Sequence, residues 1–348
     1  MLVPYRHLLA FTVPLSVWVA LFAHGAWTFL PLFLYFGLVP LAELALAPNP
    51  ANLDQDARAS VATSRFHHIA LYATVPFQIV TLLLFLVQVG EPGLAPLELL
   101  GRIVSMGILC GVVGINAGHE LGHRRSPLAR RLGDVLLLTA LENHFTPYHN
   151  RGHHRHVATP ADPATSRRGE ALYRFWFRSQ IGSYRLAWAI ERDRLARLGR
   201  PWYDAGNVMI RYTLLQLALL GAILAGFGPL GLGAFLAAAI VGIALLETVN
   251  YIEHYGLVRE RRPDGRYETV RHQHSWNSDH LLGRSLLFEL SRHSDHHYRA
   301  GKHYPLLDSL PDSPQMPTGY PGMMLLAAVP PLWRRSMHPR LDDIGATR

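Results

Sequence analysis

The sequence is short of cysteine, lysine and charge. Cys110 is the only cysteine in 348 residues. That excludes a disulfide framework, a cysteine-built zinc site and an iron–sulfur cluster held by this chain alone. Charged residues make up 17%, where a soluble domain carries about a quarter. Hydrophobic residues reach 49% and the mean hydropathy is +0.11, a balance no disordered chain shows. Lys302 is the only lysine, so the formal net charge of +8 rests on arginine. The arginines lie between apolar blocks rather than on one patch, which argues against a nucleic-acid surface. Neither a phosphate-cradling P-loop nor a dinucleotide fingerprint after a strand is present, so the chain is expected to bind no NAD or FAD itself. What is abundant is histidine, with twenty.

Long apolar runs organise the rest. Leu8 to Ala42 holds no formally charged residue, only His24, and is long enough for two spans turning near His24 and Gly25. Ile69 to Val89, Ile103 to Gly118 and Thr213 to Leu246 are likewise uncharged, the last broken naturally at Phe227–Gly233. A membrane span needs about 20 such residues. We therefore expect an all-α membrane protein, one domain over 1–348. About six transmembrane helices are expected, near 8–23, 26–47, 69–89, 99–118, 211–227 and 234–254. Hydrophilic segments 119–210 and 255–348 would form a helical cap. Buried core helices of a soluble protein are the alternative, and uncharged runs of this length are rare there. The turns near His24, Glu91–Glu98 and Phe227–Gly233 carry no basic residue, whereas Arg6, Arg58, Arg65, the stretch Arg124–Arg211 and the stretch after Arg259 do. The positive-inside rule then puts both termini, the connection Asp56–Arg65 and both long segments in the cytoplasm, with the protein in the inner membrane. No cleavable signal peptide is expected, because the first apolar run continues into a second span. Met323–Trp333 is apolar but too short to cross and reads as an interfacial piece.

Three histidine clusters stand at the predicted ends of spans. They are His119-Glu-Leu-Gly-His123, His149-Asn-Arg-Gly-His153-His154 and His293-Ser-Asp-His296-His297. His254 closes the last span in Asn250-Tyr-Ile-Glu-His254. Separations of three and four put side chains on one helical face. Imidazole suits Fe, Zn, Cu and Ni. Nine imidazoles exceed the six positions of an octahedral metal, so they imply two metals. Glu120, Glu253 and Asp295 fit the role of carboxylates that hold a ligand's ring N–H, and His280 stands as a neighbour of the centre or of the substrate. The first cluster also spells the His-Glu-x-x-His pattern of zinc proteases, but that chemistry leaves the other two clusters unused. His7, His24 and His338 read as interface or tail residues, His67 and His68 as lying at headgroup level. His144, His156, His272, His274 and His303 read as hydrogen-bonded or solvent-facing, and Cys110 as apolar filler.

Longer stretches carry a resemblance. Gly152-His-His-Arg-His-Val-Ala-Thr-Pro-Ala-Asp-Pro-Ala-Thr-Ser-Arg167, Asn250-Tyr-Ile-Glu-His-Tyr-Gly-Leu257, Arg292-His-Ser-Asp-His-His297, Ser275-Trp-Asn-Ser278 and Pro317-Thr-Gly-Tyr-Pro-Gly322 join the first cluster in this. With them the chain resembles the integral-membrane alkane 1-monooxygenases (AlkB-type alkane hydroxylases), within the histidine-rich membrane di-iron group of hydroxylases and desaturases. The likeness runs from about the second span to near the carboxyl end. Tyr148 stands where the family usually has Glu, and His156 where Asp is usual. No rubredoxin-like domain is fused to the short tail. These departures leave the histidines intact and bear on their surroundings and on substrate range.

The resemblance implies two Fe ions held by His119, His123, His149, His153, His154, His254, His293, His296 and His297. It implies O2-dependent terminal hydroxylation of medium- or long-chain n-alkanes to 1-alkanols, with no side-chain nucleophile. Electrons would come from a separate rubredoxin and its NAD(P)H-dependent reductase. The absence of any nicotinamide, flavin or iron–sulfur motif agrees that an outside donor is needed. Tyr35 and Phe36 in the second span are candidates to end a substrate tunnel, although ordinary helix packing also accounts for them. Desaturation, or hydroxylation of aryl methyl groups or acyl lipids, is the alternative within the same chemistry. A metal transporter is the alternative outside it, and it would need polar groups at mid-membrane that these spans lack.

Overall fold

The computed structural model describes residues 3–345. Apolar runs become helices here because a bilayer offers no water to backbone N–H and C=O groups, so each segment must satisfy them internally. Five helical segments are long and apolar enough to cross a membrane: Tyr5–Phe22, Gly25–Ala45, Arg65–Gln88, Pro96–Gly122 and Val208–His254. Among the described residues there is no strand, only isolated bridges such as Asn277 to Gln315. The helix Val208–His254 leaves helical geometry at one residue, Gly228 (φ 68°, ψ −174°), followed by Pro229. Only glycine adopts that backbone readily. The break expected over Phe227–Gly233 is thus a single hinge residue with helix on both sides.

The chain divides into two compact units. The first comprises Met1–Leu38, Arg65–Thr146 and Trp188–Leu246 and holds most of the apolar helices. In it, Gly107 and Gly111 let the helix Pro96–Leu109 and the π-helical turn Cys110–Ile115 approach the last long helix closely. A Cβ on Gly107 would lie 2.4 Å from Val241 Cβ, and one on Gly111 3.1 Å from Leu245. Small residues four apart are how helices pack where lipid supplies no hydrophobic drive. Polar side chains pair across helices in this unit at two places: Trp18 Nε1 donates to Thr81 Oγ1 (2.6 Å) and Gln78 Nε2 to Thr139 Oγ1 (3.0 Å). His67 is buried in the first turn of Arg65–Gln88, edge-on to the His7 ring at 5.7 Å.

The second unit comprises Val39–Ser64, Pro147–Ala187 and Glu247–Arg348. Two fully buried arginines clamp its loops. Arg284 pairs with Glu289 (2.8 Å) and donates to Asn49 O (2.6 Å); Arg292 donates to Leu307 O (2.6 Å) and Ala51 O (2.9 Å). Ser275–Ser278 runs as a strap across this unit. Trp276 N donates to Glu253 O (2.8 Å), Trp276 Nε1 to Tyr255 O (2.9 Å) and Ser278 N to Ser291 O (2.8 Å). That strap ties the end of the last apolar helix to the turn before His293. Asp56–Thr63 falls on the exposed helix Gln55–Thr63, capped by Asp54, and Arg65 opens the next helix. In the expected interfacial piece, Met323, Met324, Ala327 and Trp333 are buried in the protein while Leu325, Val329 and Leu332 are exposed.

Candidate metal centre

In the second unit, the ligand nitrogens of His153, His254, His293 and His297 all lie within 4.8 Å of one another, and all four residues are buried. The Nε2 atoms of His153 and His297 are 3.1 Å apart, those of His254 and His293 3.2 Å. Metal–imidazole bonds of about 2.1 Å at right angles would separate two ligand nitrogens by about 3.0 Å, and opposite ligands by about 4.2 Å. The spacing therefore fits four imidazoles around one ion. Beside them, His149, His154 and His296 bring three further ligand nitrogens within 4.8 Å of one another, with 3.0 Å between His149 Nε2 and His154 Nε2. Here local structure departs from the simple face argument. His149–His153 is a π-helical turn. Its wider winding brings residues five apart into register, which an α-helix would not.

In the first unit, His119 and His123 end the helix Asn116–Gly122 with their Nε2 atoms 2.9 Å apart, and Phe145 packs edge-on to His119 at 5.5 Å. Separation by four at an α-helical end gives this pair directly.

The groups around the imidazoles set their chemistry. Asp162 Oδ2 accepts from His153 Nδ1 at 2.9 Å. That bond fixes the Nδ1–H tautomer and leaves the lone pair on Nε2, facing the other rings. Asp162 is itself held by Tyr148 OH (2.7 Å), Thr165 Oγ1 (2.7 Å) and Ala164 N (3.2 Å). Burial alone would raise the Asp162 pKa, but His153, Thr165 and Tyr148 outweigh it and hold the carboxyl at about 2. Burial, with like-charged neighbours, depresses His296 to about 3 and His297 well below the usual imidazole range. Neutral imidazole is the form that ligates a metal.

Glu253 lies on the inner side. Its Oε2 is 3.2 Å from His293 Nε2, the nitrogen that also faces His254, and its Oε1 accepts from Tyr320 OH at 2.7 Å. Glu120 accepts from Arg124 at 2.6 Å. Asp295 pairs with Lys302 and accepts from Asp308 N at 2.8 Å, pinning the loop that follows the third cluster. His280 Nδ1 meets Ser278 Oγ at 3.1 Å and belongs to neither imidazole set. Tyr35 is buried in the first unit with its hydroxyl donating to Thr12 Oγ1 at 3.0 Å; Phe36 beside it is half-buried. Sequence reasoning missed Asp162, Tyr320 and the His274 backbone that bonds His254. Asp162 lay inside a motif already singled out, and an acid nine residues past a candidate ligand was the available signal.

Long apolar helices and converging imidazoles define an integral membrane metalloprotein. Comparison with known proteins places it further. Residues 96–327 match the family described as Fatty acid desaturase. The chain is 41% identical over 338 residues to alkane 1-monooxygenase 1 of Pseudomonas aeruginosa, covering 96% of this chain and 88% of that one. It is 39% identical over 317 residues to alkane 1-monooxygenase 1 of Alcanivorax borkumensis (91% and 78%). It is 32% identical over 285 residues to the hydroxylase component of xylene/toluene monooxygenase from Pseudomonas putida (81% and 75%). The chain belongs to the fatty acid desaturase family and, within it, to the alkane 1-monooxygenases, and is an oxidoreductase.

Proposed function

We propose that this chain hydroxylates the terminal carbon of medium- or long-chain n-alkanes, giving 1-alkanols, with O2 and two irons. The observation that carries the reading is the pair of imidazole sets in a chain of this family. His153, His254, His293 and His297 would hold one iron. His149, His154 and His296 would hold the other. Bound iron supplies the O2-activating redox chemistry that hydrogen abstraction from a methyl group needs.

The chain's own residues do the rest. Asp162 orients His153, and Tyr148 and Thr165 orient Asp162. Glu253, steadied by Tyr320, puts a carboxylate beside His293 and offers a place for a proton at the centre. Burial of His153, His254, His293 and His297 keeps bulk water from that side of the centre.

The electron donor we propose is a separate rubredoxin served by its reductase. The second unit has a cavity of about 1010 Å³ whose lining includes Arg259, Arg261, Arg271 and His274 and also Glu260, Glu268 and Asp312, so its charges are balanced. The backbone of His274 bonds His254, so a carrier seated at this cavity would approach a ligand closely. In the membrane, we propose that Val208–His254 crosses twice. The 20 residues before Gly228 run about 30 Å and the 26 after it about 39 Å, so each is long enough to cross a hydrocarbon core of about 30 Å. Six crossings then leave both termini and the irons on the cytoplasmic side of the inner membrane.

The likeness to the xylene/toluene enzyme component favours aryl methyl groups as a second reading. Membranes carrying the chain, supplied with rubredoxin and reductase, are fed n-alkanes of graded length, xylene and a fatty acyl ester, and products are read by gas chromatography–mass spectrometry. A 1-alkanol as main product is expected. Oxidation of xylene or the acyl ester alone would refute the alkane assignment.

A further inference from the structure

The helix Leu172–Arg197 carries an exposed apolar stripe. Tyr173, Phe177, Ile181 and Tyr184 are all exposed, Phe177 by 70%. At 3.6 residues per turn they fall within about 80° of one another. Arg174 and Arg185 flank the stripe on one side and are exposed. The opposite face, with Phe175, Ser179 and Ser183, is buried.

Two contacts set the height of this face. The Phe175 ring meets Tyr251 at 5.4 Å, and Trp176 Nε1 donates to Thr248 Oγ1 at 3.0 Å. Thr248 and Tyr251 lie in the closing turns of an apolar helix long enough to cross a bilayer. With that helix in a bilayer, the stripe would lie where hydrocarbon gives way to headgroups. A second segment adjoins it. Tyr173 OH donates to Ala328 O at 2.7 Å, and Leu325, Val329 and Leu332 are exposed around that carbonyl. Buried Trp333 packs on Tyr251 at 5.2 Å, and exposed Arg334 and Arg335 follow it. Aromatic and aliphatic side chains on one face, rimmed by arginine at the end of a span, are the pattern of a helix lying in the membrane plane.

We propose that Tyr173–Tyr184, together with Leu325–Leu332, forms an in-plane membrane-binding face that selects anionic phospholipid. Arg174, Arg185, Arg334 and Arg335 meet phosphate while the stripe enters the acyl boundary. The face bears on the metal centre. Arg178 of the same helix bonds the Glu170 carboxylate and the carbonyls of Pro163 and Thr165, holding the segment that follows Asp162. The inference rests on membrane insertion and not on the hydrocarbon reading.

The test uses the full chain in nanodiscs, with Cys110→Ser and a nitroxide at Phe177→Cys. Discs contain phosphatidylcholine alone or mixed with phosphatidylglycerol. Collisions with O2 and with a water-soluble nickel chelate report depth. In mixed discs the label should meet O2 and be shielded from the chelate. Free collision with the chelate would overturn the proposal, and so would shielding from both reagents, which means cover by protein, a second copy included. Each arginine near an anionic surface is worth about fivefold in the local equilibrium. Arg174→Glu with Arg185→Glu should therefore move the label towards water in mixed discs only. An equal effect in both discs, or none, would remove the anionic selectivity. Arg174→Gln with Arg185→Gln serves if the reversed pair does not insert.

Discussion

Asp162 is the residue whose removal tests the metal reading most directly. Its carboxylate accepts four hydrogen bonds in a buried site, and one of them fixes His153 with Nε2 free to ligate. A hydrogen bond to a charged group is worth about 1.5–3 kcal/mol. With a tenfold change for each ~1.4 kcal/mol, that predicts a loss of about 10- to 100-fold in metal affinity. The usual effect of removing a partner behind a ligand histidine is also about 10- to 100-fold. Asp162→Asn keeps the shape and a neutral acceptor, so it should fall near tenfold. Asp162→Ala should approach a hundredfold and also leave the Tyr148 and Thr165 hydroxyls without this acceptor. The assay is iron content of purified protein by mass spectrometry, followed by competition against a graded series of chelators. Thermal unfolding of the metal-free forms separates affinity from folding. Wild-type iron content and an unchanged competition constant in both variants would refute the argument.

The same carboxyl gives a pH signature. Its folded pKa is depressed, so its contribution to stability is present above the ordinary value of about 4 and is lost as pH falls from there towards about 2. Metal-free protein should lose about 2 kcal/mol over that window, and Asp162→Asn should flatten the loss in denaturation scans. His153→Ala removes a nitrogen 3.1 Å from His297 Nε2 and should abolish iron retention and hydroxylation together; full activity would strike it from the ligands. Gly107→Ala sets a Cβ 2.4 Å from Val241 Cβ. It should cost about 1–3 kcal/mol, read as a lower melting temperature in detergent, with partial rescue by Val241→Ala. Gly228→Ala forces a side chain into a backbone region that costs about 1–3 kcal/mol and should likewise lower the melting temperature.

What the sequence could and could not disclose divides by the range of the interaction. Uncharged runs and histidines three to five apart are local patterns, and local geometry converts them to helices and paired rings with little help from elsewhere. His119 with His123 is such a case. The break at Gly228-Pro229 was equally visible, because glycine and proline act on their own residue. The gathering of His254 with His293, 39 residues apart, was not visible. It depends on the Ser275–Ser278 strap and on buried Arg292, which composition and spacing do not reveal. His149 and His154 show the intermediate case. Their spacing of five is wrong for an α-helical face, and only a π-helical turn makes it right. A π turn strains the chain slightly and persists where something repays it. Here that is the convergence of His149, His154 and His296, so the irregular backbone and the donor set explain one another. Tyr148, the residue just before that turn, follows the same logic. Its phenol donates to Asp162 and brings no second negative charge beside it. One carboxylate then serves His153 with its full charge, which preserves the lone pair that a metal ligand needs.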